Sequence, residues 1–342
     1  MSRPRGLLRA GYPYLKSLGM RRVTNFPIDI AFGADEKLYV LLRESGNAFI
    51  RVWSFNDSEQ FTDDLVQIGS YGANEGQFQW PVQLITDVKG DIYVSDEANH
   101  TISIFNSEGN FLSRWGKQGS PKGRFNGPAG IAFDPEGNIV VVDSINHRIQ
   151  KYTHDGKFIF QFGKLGDKEG QFSRPWGVHV DELGKIYVAD WGNHRVQVFT
   201  NEGNFTMLLD ETSTYSSKMK NPSGVAVDSH GDIYVADWGN NRVLMFDSNG
   251  RYVWKFLGDA TLSMVARSYM MTNAYSNRLR EMANIEEDKY LRRPTSIRID
   301  SKFRLCIADH MSYRLQVYQK DAIELDEHTI FSPMRNPSLT TA

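Results

Sequence analysis

Along most of the chain the apolar residues come in short bursts broken by polar turns. The stretch PAGIAFDPEGNIVVVD, beginning at Pro128, shows the grammar. An apolar burst is followed by a turn carrying Asp or Gly, then by a second burst that ends in Asp. The bursts are rich in β-branched residues and too short for helices, so the pattern predicts strands. A third burst follows (HRIQKYT), then a second Gly turn (HDGK), then a fourth burst (FIFQFG). Four short strands joined by tight turns make one antiparallel sheet.

The same grammar recurs. Copies open at Pro27, Pro81, Pro128, Pro175, Pro222 and Pro294, spaced 54, 47, 47, 47 and 72 residues apart. VADWGNHRVQVFTNEGN from Val188 returns almost unchanged as VADWGNNRVLMFDSNGR from Val235. A four-stranded sheet that is apolar on both faces cannot hide either face alone, whereas radial stacking buries each face against a neighbour. Six copies therefore predict an all-β fold, a closed six-bladed β-propeller with four antiparallel strands per blade. The last copy reaches only its third strand, at Arg314–Lys320, so the N-terminal segment Tyr14–Gly19 is expected to supply the fourth and close the ring. Residues 1–322 then form one propeller, and the tail 323–342 is left outside the blade pattern.

One spacing exceeds the period by 25 residues. The surplus, about 261–291, has neither Gly nor Pro and contains good helix formers. Leu262, Val265 and Tyr269 fall at helical spacing, as do Leu279, Met282 and Ile285, so a helical insertion between blades five and six is expected.

Composition narrows the chemistry. Of 342 residues 40% are apolar and the formal charge is −2, so no basic excess points to nucleic acid. A single cysteine, Cys306, excludes an internal disulfide and suggests a reducing, cytoplasmic setting. No run reaches the ~20 apolar residues of a membrane span, and no signal-like apolar segment opens the sequence.

The segments DSINHR from Asp143 and DWGNHR from Asp190, with the GQF-x-x-P entries to Pro81 and Pro175, resemble NHL repeats. The resemblance covers roughly residues 14–320 and is closest in repeats two to five. It implies a propeller that serves either as an RNA- or protein-binding disc or as the body of a peptidyl-amidating lyase. Such lyases hold zinc on histidines placed directly after the strand-opening proline. Here those positions are Ile28, Val82, Ala129, Trp176, Ser223 and Thr295, none of them His, which argues against that activity.

Other candidates also have a purely structural reading. His100, His147 and His194 occupy one repeat position in successive blades, too far apart to share a metal ion. The pairs Asp143/Arg148, Asp190/Arg195, Asp237/Arg242 and Asp309/Arg314 read as a repeated charge-assisted hydrogen bond, broken where Asp96 meets Thr101. His179 and Arg298 replace small residues on first strands and are candidates for a catalytic site at the channel mouth. Trp80, Trp176, Trp191 and Trp238 fall in loops that share one face of such a disc. No metal or cofactor is expected. The expected role is non-catalytic: a scaffold that binds a protein partner through Trp176, Trp191 and Trp238, with Tyr269 and Met270 from the insertion. RNA binding, through Lys218, Lys220, Arg292 and Arg293, is the less favoured alternative.

Overall fold

The computed structural model describes residues 6–20, 23–34, 36–55, 66–209, 218–263, 266–267, 278 and 285–325. Six four-stranded antiparallel sheets are arranged as blades. Blade 1 comprises Pro27–Phe32, Lys37–Glu44, Asn47–Ser54 and Gln67–Ile68; blade 2 comprises Pro81–Thr86, Ile92–Asp96, Thr101–Phe105 and Phe111–Trp115. Blade 3 runs through Pro128–Phe133, Ile139–Asp143, Arg148–Tyr152 and Phe158–Phe162; blade 4 through Val178–Val180, Ile186–Asp190, Arg195–Phe199 and Phe205–Leu208. Blade 5 uses Pro222–Val227, Ile233–Asp237, Arg242–Phe246 and Tyr252–Phe256. Blade 6 combines Pro294–Ile299, Arg304–Asp309 and Arg314–Gln319 with an outer strand, Tyr14–Leu18, from the other end of the chain.

The core sits where double-sided sheets require it. Six apolar clusters fill the six gaps between blades; one joins Ile30, Val40 and Leu42 of blade 1 to Cys306, Ala308 and Val317 of blade 6. In blades 2 to 6 the turn between first and second strands is an Asx turn. In blade 3, Asp134 Oδ1 accepts from the amides of Glu136 (2.9 Å) and Asn138 (2.8 Å). Gly137 takes the left-handed conformation there, at φ 81°.

The residue three before each opening proline plugs an inter-blade gap. Thr24, Phe78, Phe125, Phe172, Met219 and Leu291 hold this position, and all are buried. Phe172 lies 6.3 Å from the Phe162 ring of blade 3 and 5.5 Å from Phe199 of blade 4. Burying one such ring contributes roughly 2–3 kcal/mol.

Two sequence expectations need correction. A second strand pair, Gly6–Gly11 with Asp321–Leu325, lies beyond blade 6, so the start of the presumed tail is part of a sheet. Lys320, fully buried, is held there by Asp228 and by Asp232 (2.8 Å to the latter), and Arg9 also pairs with Asp232. The helical insertion over 261–291 is not supported. Most of it lies outside the described residues; those described are helical at positions 266, 267 and 278 and over the four-residue turn Ile285–Asp288. The ends of the segment instead pair directly, Leu291 N to Leu257 O at 2.7 Å and Ala260 N to Lys289 O at 3.2 Å.

Candidate functional site

The recurring D-x-x-N-H-R motif is a structural staple. Asp190 accepts from Ser173 N (2.8 Å), Asn193 Nδ2 (2.8 Å), Arg195 Nε (2.9 Å) and Gln197 Nε2 (3.1 Å). The arginine also donates to entry-loop carbonyls, those of Lys168 (2.8 Å) and Gln171 (2.9 Å). Burial raises the Asp143, Asp190 and Asp309 carboxyls, opposed by these donors. In blade 2 Thr101 cannot donate in this way. Arg114, on the neighbouring outer strand, reaches the equivalent carbonyls of Asn74 (2.6 Å) and Gln77 (2.8 Å).

The histidines have an equally local role. Each takes a left-handed φ and accepts, through Nδ1, the amide that precedes the next blade's proline. The bonds are Gly127 N to His100 (3.1 Å), Arg174 N to His147 (3.0 Å) and Asn221 N to His194 (3.1 Å). Asn241 does the same with its side-chain oxygen for Arg293 N, at 2.8 Å. At the ring closure Tyr313 substitutes an edge contact with the Phe26 ring, centroids 4.8 Å apart. Burial lowers the pKa of His100 and of His147, which keeps Nδ1 free to accept. Among the described residues no three His, Cys, Asp or Glu side chains gather as a metal site would require.

The residue after each second-strand Asp, or after Leu42 at the same place in blade 1, lines one cavity. Arg43, Glu97, Ser144, Trp191, Trp238 and His310, one per blade, ring a funnel of about 450 Å³. Deeper lies the post-proline ring, of which Ile28, Val82, Trp176, Ser223 and Thr295 line the same cavity. Blades 4 and 5 thus give an indole wall, while blades 1, 2 and 6 give charged and polar groups.

The floor is closed. Gln83 crosses from blade 2, donating to Val178 O (3.3 Å) and accepting from Ile131 N (3.3 Å). Glycines let the first strands approach this closely: a Cβ on Gly177 would sit 2.5 Å from Ser223 O. Arg298 pairs with Asp29 (2.8 Å) and donates to Ile30 O (3.1 Å).

The structure therefore brings Trp176, Trp191, Trp238 and Arg298 around one cavity. Trp80 stands just outside, its ring 4.2 Å beneath the Arg43 guanidinium, and Trp238 carries Arg293 at 4.7 Å. His179 is not in the funnel. It lines a separate 200 Å³ cavity with Asp181 and Asp228, its pKa pushed down to about 3 by burial and then by Arg298. Tyr269 and Met270 lie outside the described residues. Sequence reasoning passed over Arg43, Glu97, Arg174 and His310. The signal was available, since Glu97 and His310 follow the end of a second strand as Trp191 and Trp238 do, and Arg43 holds the equivalent place within Lys37–Glu44.

Burial pushes Arg43 down to about 10, so it stays charged at neutral pH. Burial raises the Glu97 carboxyl against the pull of Arg43 and Arg174. His310 is pushed down to about 4, chiefly by burial, and its Nδ1–H donates to Pro27 O at 3.2 Å.

The fold and the staples define a six-bladed β-propeller built of short repeats. The model for the NHL repeat matches residues 125–152, 172–199 and 219–246, and the chain is an NHL-repeat propeller. It is similar to Protein brain tumor of Drosophila melanogaster, 39% identical over 51 residues, a stretch spanning 15% of this chain and 5% of that protein. A streptogramin B lyase structure superposes with a TM-score of 0.56 at 12% identity, covering 90% of this chain and 98% of that one. A chain of a nidogen/laminin complex gives 0.52 at 20% identity, covering 73% and 92%. Identities this low speak for the fold alone. No helix among the described residues is long and apolar enough to cross a membrane.

Proposed function

We propose that the chain is a non-catalytic binding disc whose funnel receives a segment of a partner protein. The observation that carries this is the convergence of Trp176, Trp191 and Trp238 on one cavity that Arg43, Arg174 and Glu97 also line. Trp and Arg are the side chains most enriched at binding hot spots, and a cavity of this size suits a few side chains. Both candidates for a catalytic role fit that role poorly: Arg298 is committed to Asp29, and His179 opens into another cavity. A similarly folded chain occurs in a complex of two proteins, nidogen and laminin, a precedent at the level of fold.

The test is selection from a displayed random-peptide library against the intact chain, with rebinding to Trp191→Ala/Trp238→Ala. Loss of two hot-spot rings should weaken selected peptides by at least about tenfold. Trp254→Ala, at an exposed position on the outer strand of blade 5, should leave them unchanged. Equal binding to the funnel variant and the wild type sinks the proposal.

A further inference from the structure

The funnel's charges do not cancel. Of its lining groups, Arg298 and Asp29 neutralise each other at 2.8 Å. That leaves two guanidiniums, Arg43 and Arg174, against one carboxyl, Glu97. Among the described residues neither arginine makes an ion pair. Arg43 spends one donor on Pro81 O (2.9 Å) and rests on the Trp80 ring. The Arg174 side chain is exposed, while its backbone is fixed in the left-handed region by the His147 staple. An unpaired, partly desolvated guanidinium beside an indole wall is a site for an anion attached to something apolar.

The shape adds a second constraint. The floor is sealed by Gln83 and by the Asp29–Arg298 pair, so anything that enters must stop. An internal loop has to enter and leave through the same mouth, whereas a chain end enters once. We propose that the funnel binds the free C-terminus of a partner polypeptide. Its carboxylate pairs with Arg174 and Arg43, and its last, apolar side chain lies against Trp191 and Trp238. This rests on the protein-binding reading above and specifies its ligand.

The probe is a set of labelled pentapeptide pools ending in Leu, Phe or Trp, prepared as free carboxylates and as C-terminal amides. Binding to the intact chain is read by fluorescence anisotropy, with N-acetylphenylalanine as a small-molecule competitor. The carboxylate pools should bind at least about tenfold more tightly than the amides, the loss expected for one charge-assisted hydrogen bond. Arg174→Gln, an exposed change that spares the fold, should remove a similar factor. Glu97→Gln should tighten the carboxylates, because it deletes the competing negative charge; a cationic ligand would weaken instead. Equal binding of acid and amide, abolished by Trp191→Ala, overturns the chain-end proposal and leaves the funnel reading standing. Binding untouched by Trp191→Ala/Trp238→Ala overturns both. N-acetylphenylalanine binding as tightly as the peptides makes the ligand a small carboxylate and overturns the polypeptide terminus, as does failure of every pool.

Discussion

Blade 2 offers a test of whether the staple arginine works through its position in the repeat or through the carbonyls it reaches. Arg114 makes four hydrogen bonds, to Ala73 O (2.8 Å), Asn74 O (2.6 Å), Gln77 O (2.8 Å) and Ser103 Oγ (3.1 Å). The first two are exposed and contribute little. The last two are sheltered, and a charged donor there is worth about 1.5 kcal/mol each, so Arg114→Ala should cost about 3 kcal/mol. In blade 3 the equivalent carbonyls, Pro121 O and Arg124 O, are reached by Arg148 from the third strand, both at 3.0 Å. Thr101 occupies that third-strand position in blade 2, and its buried hydroxyl has no partner.

Thr101→Arg in the wild type should therefore put two guanidiniums onto one set of carbonyls and destabilise by about 1 kcal/mol. In the Arg114→Ala background the same change should restore about 2 kcal/mol. The coupling between the two sites is then about 3 kcal/mol with reversal of sign, the behaviour of residues that share partners. Urea unfolding followed by tryptophan fluorescence and circular dichroism reads this as midpoint shifts. With a slope of about 3 kcal/mol per molar, Arg114→Ala moves the midpoint down by about 1 M and the second change returns most of it. If Thr101→Arg stabilises the wild type, or fails to rescue Arg114→Ala, the two arginines are not interchangeable and the explanation is wrong.

Two further outcomes follow from the staples and the buried imidazoles. His147→Asn should be nearly neutral, as Asn241 already does this work, while His147→Leu should cost roughly 1–2 kcal/mol by orphaning Arg174 N; equal urea midpoints for the two variants would contradict the acceptor role. Stability should also fall on mild acidification. His100, His147, His179 and His310 all titrate below their ordinary value in the fold, the last two near 3 and 4. Their contribution is intact above about pH 6.5, where the unfolded chain is also neutral, and drains away as the pH drops toward the folded values. His179 and His310 together should lose about 2 kcal/mol per pH unit between 6 and 5 after allowance for partial exposure. The raised Asp29, Asp143, Asp190 and Asp309 carboxyls act in the opposite sense. A flat urea midpoint from pH 7.5 to 5 would refute the histidine term.

Much of the architecture was legible because symmetry writes it several times. An Asp that ends five of the six second strands, in most of them with Asn three and Arg five residues later, is read correctly as structure from repetition alone. Single copies are harder. Nothing in the spacing shows that Arg114 stands in for Thr101, because the substitute comes from another strand and only the register places it beside Gln77. The strand pair Gly6–Gly11 with Asp321–Leu325 was missed for a similar reason: it is specified by the Lys320–Asp228–Asp232 cluster, a contact between ends of the chain. The indole residues were found because tryptophan is conspicuous; Arg43, Glu97 and His310 were not, because each is ordinary until the ring aligns it with them.

That contrast also says where specificity resides. At the staple positions the chain substitutes conservatively, His for Asn, or Arg on one strand for Arg on the next, because a buried donor left without an acceptor costs the same in every blade. One residue further on, the constraint disappears and the six blades carry five different residue types: Arg43, Glu97, Ser144, Trp191, Trp238, His310. A residue that only filled space between sheets would be held to buried, uncharged side chains, as the plugs Thr24, Phe78, Phe125, Phe172, Met219 and Leu291 are. In blades 2 to 6 the funnel ring is instead free of its scaffold, because the staple Asp just before it already satisfies the backbone. Such a ring can diverge blade by blade without loss of fold, so on the proposed binding role its asymmetry, indole on one side and cation on the other, would match the shape and charge of the ligand.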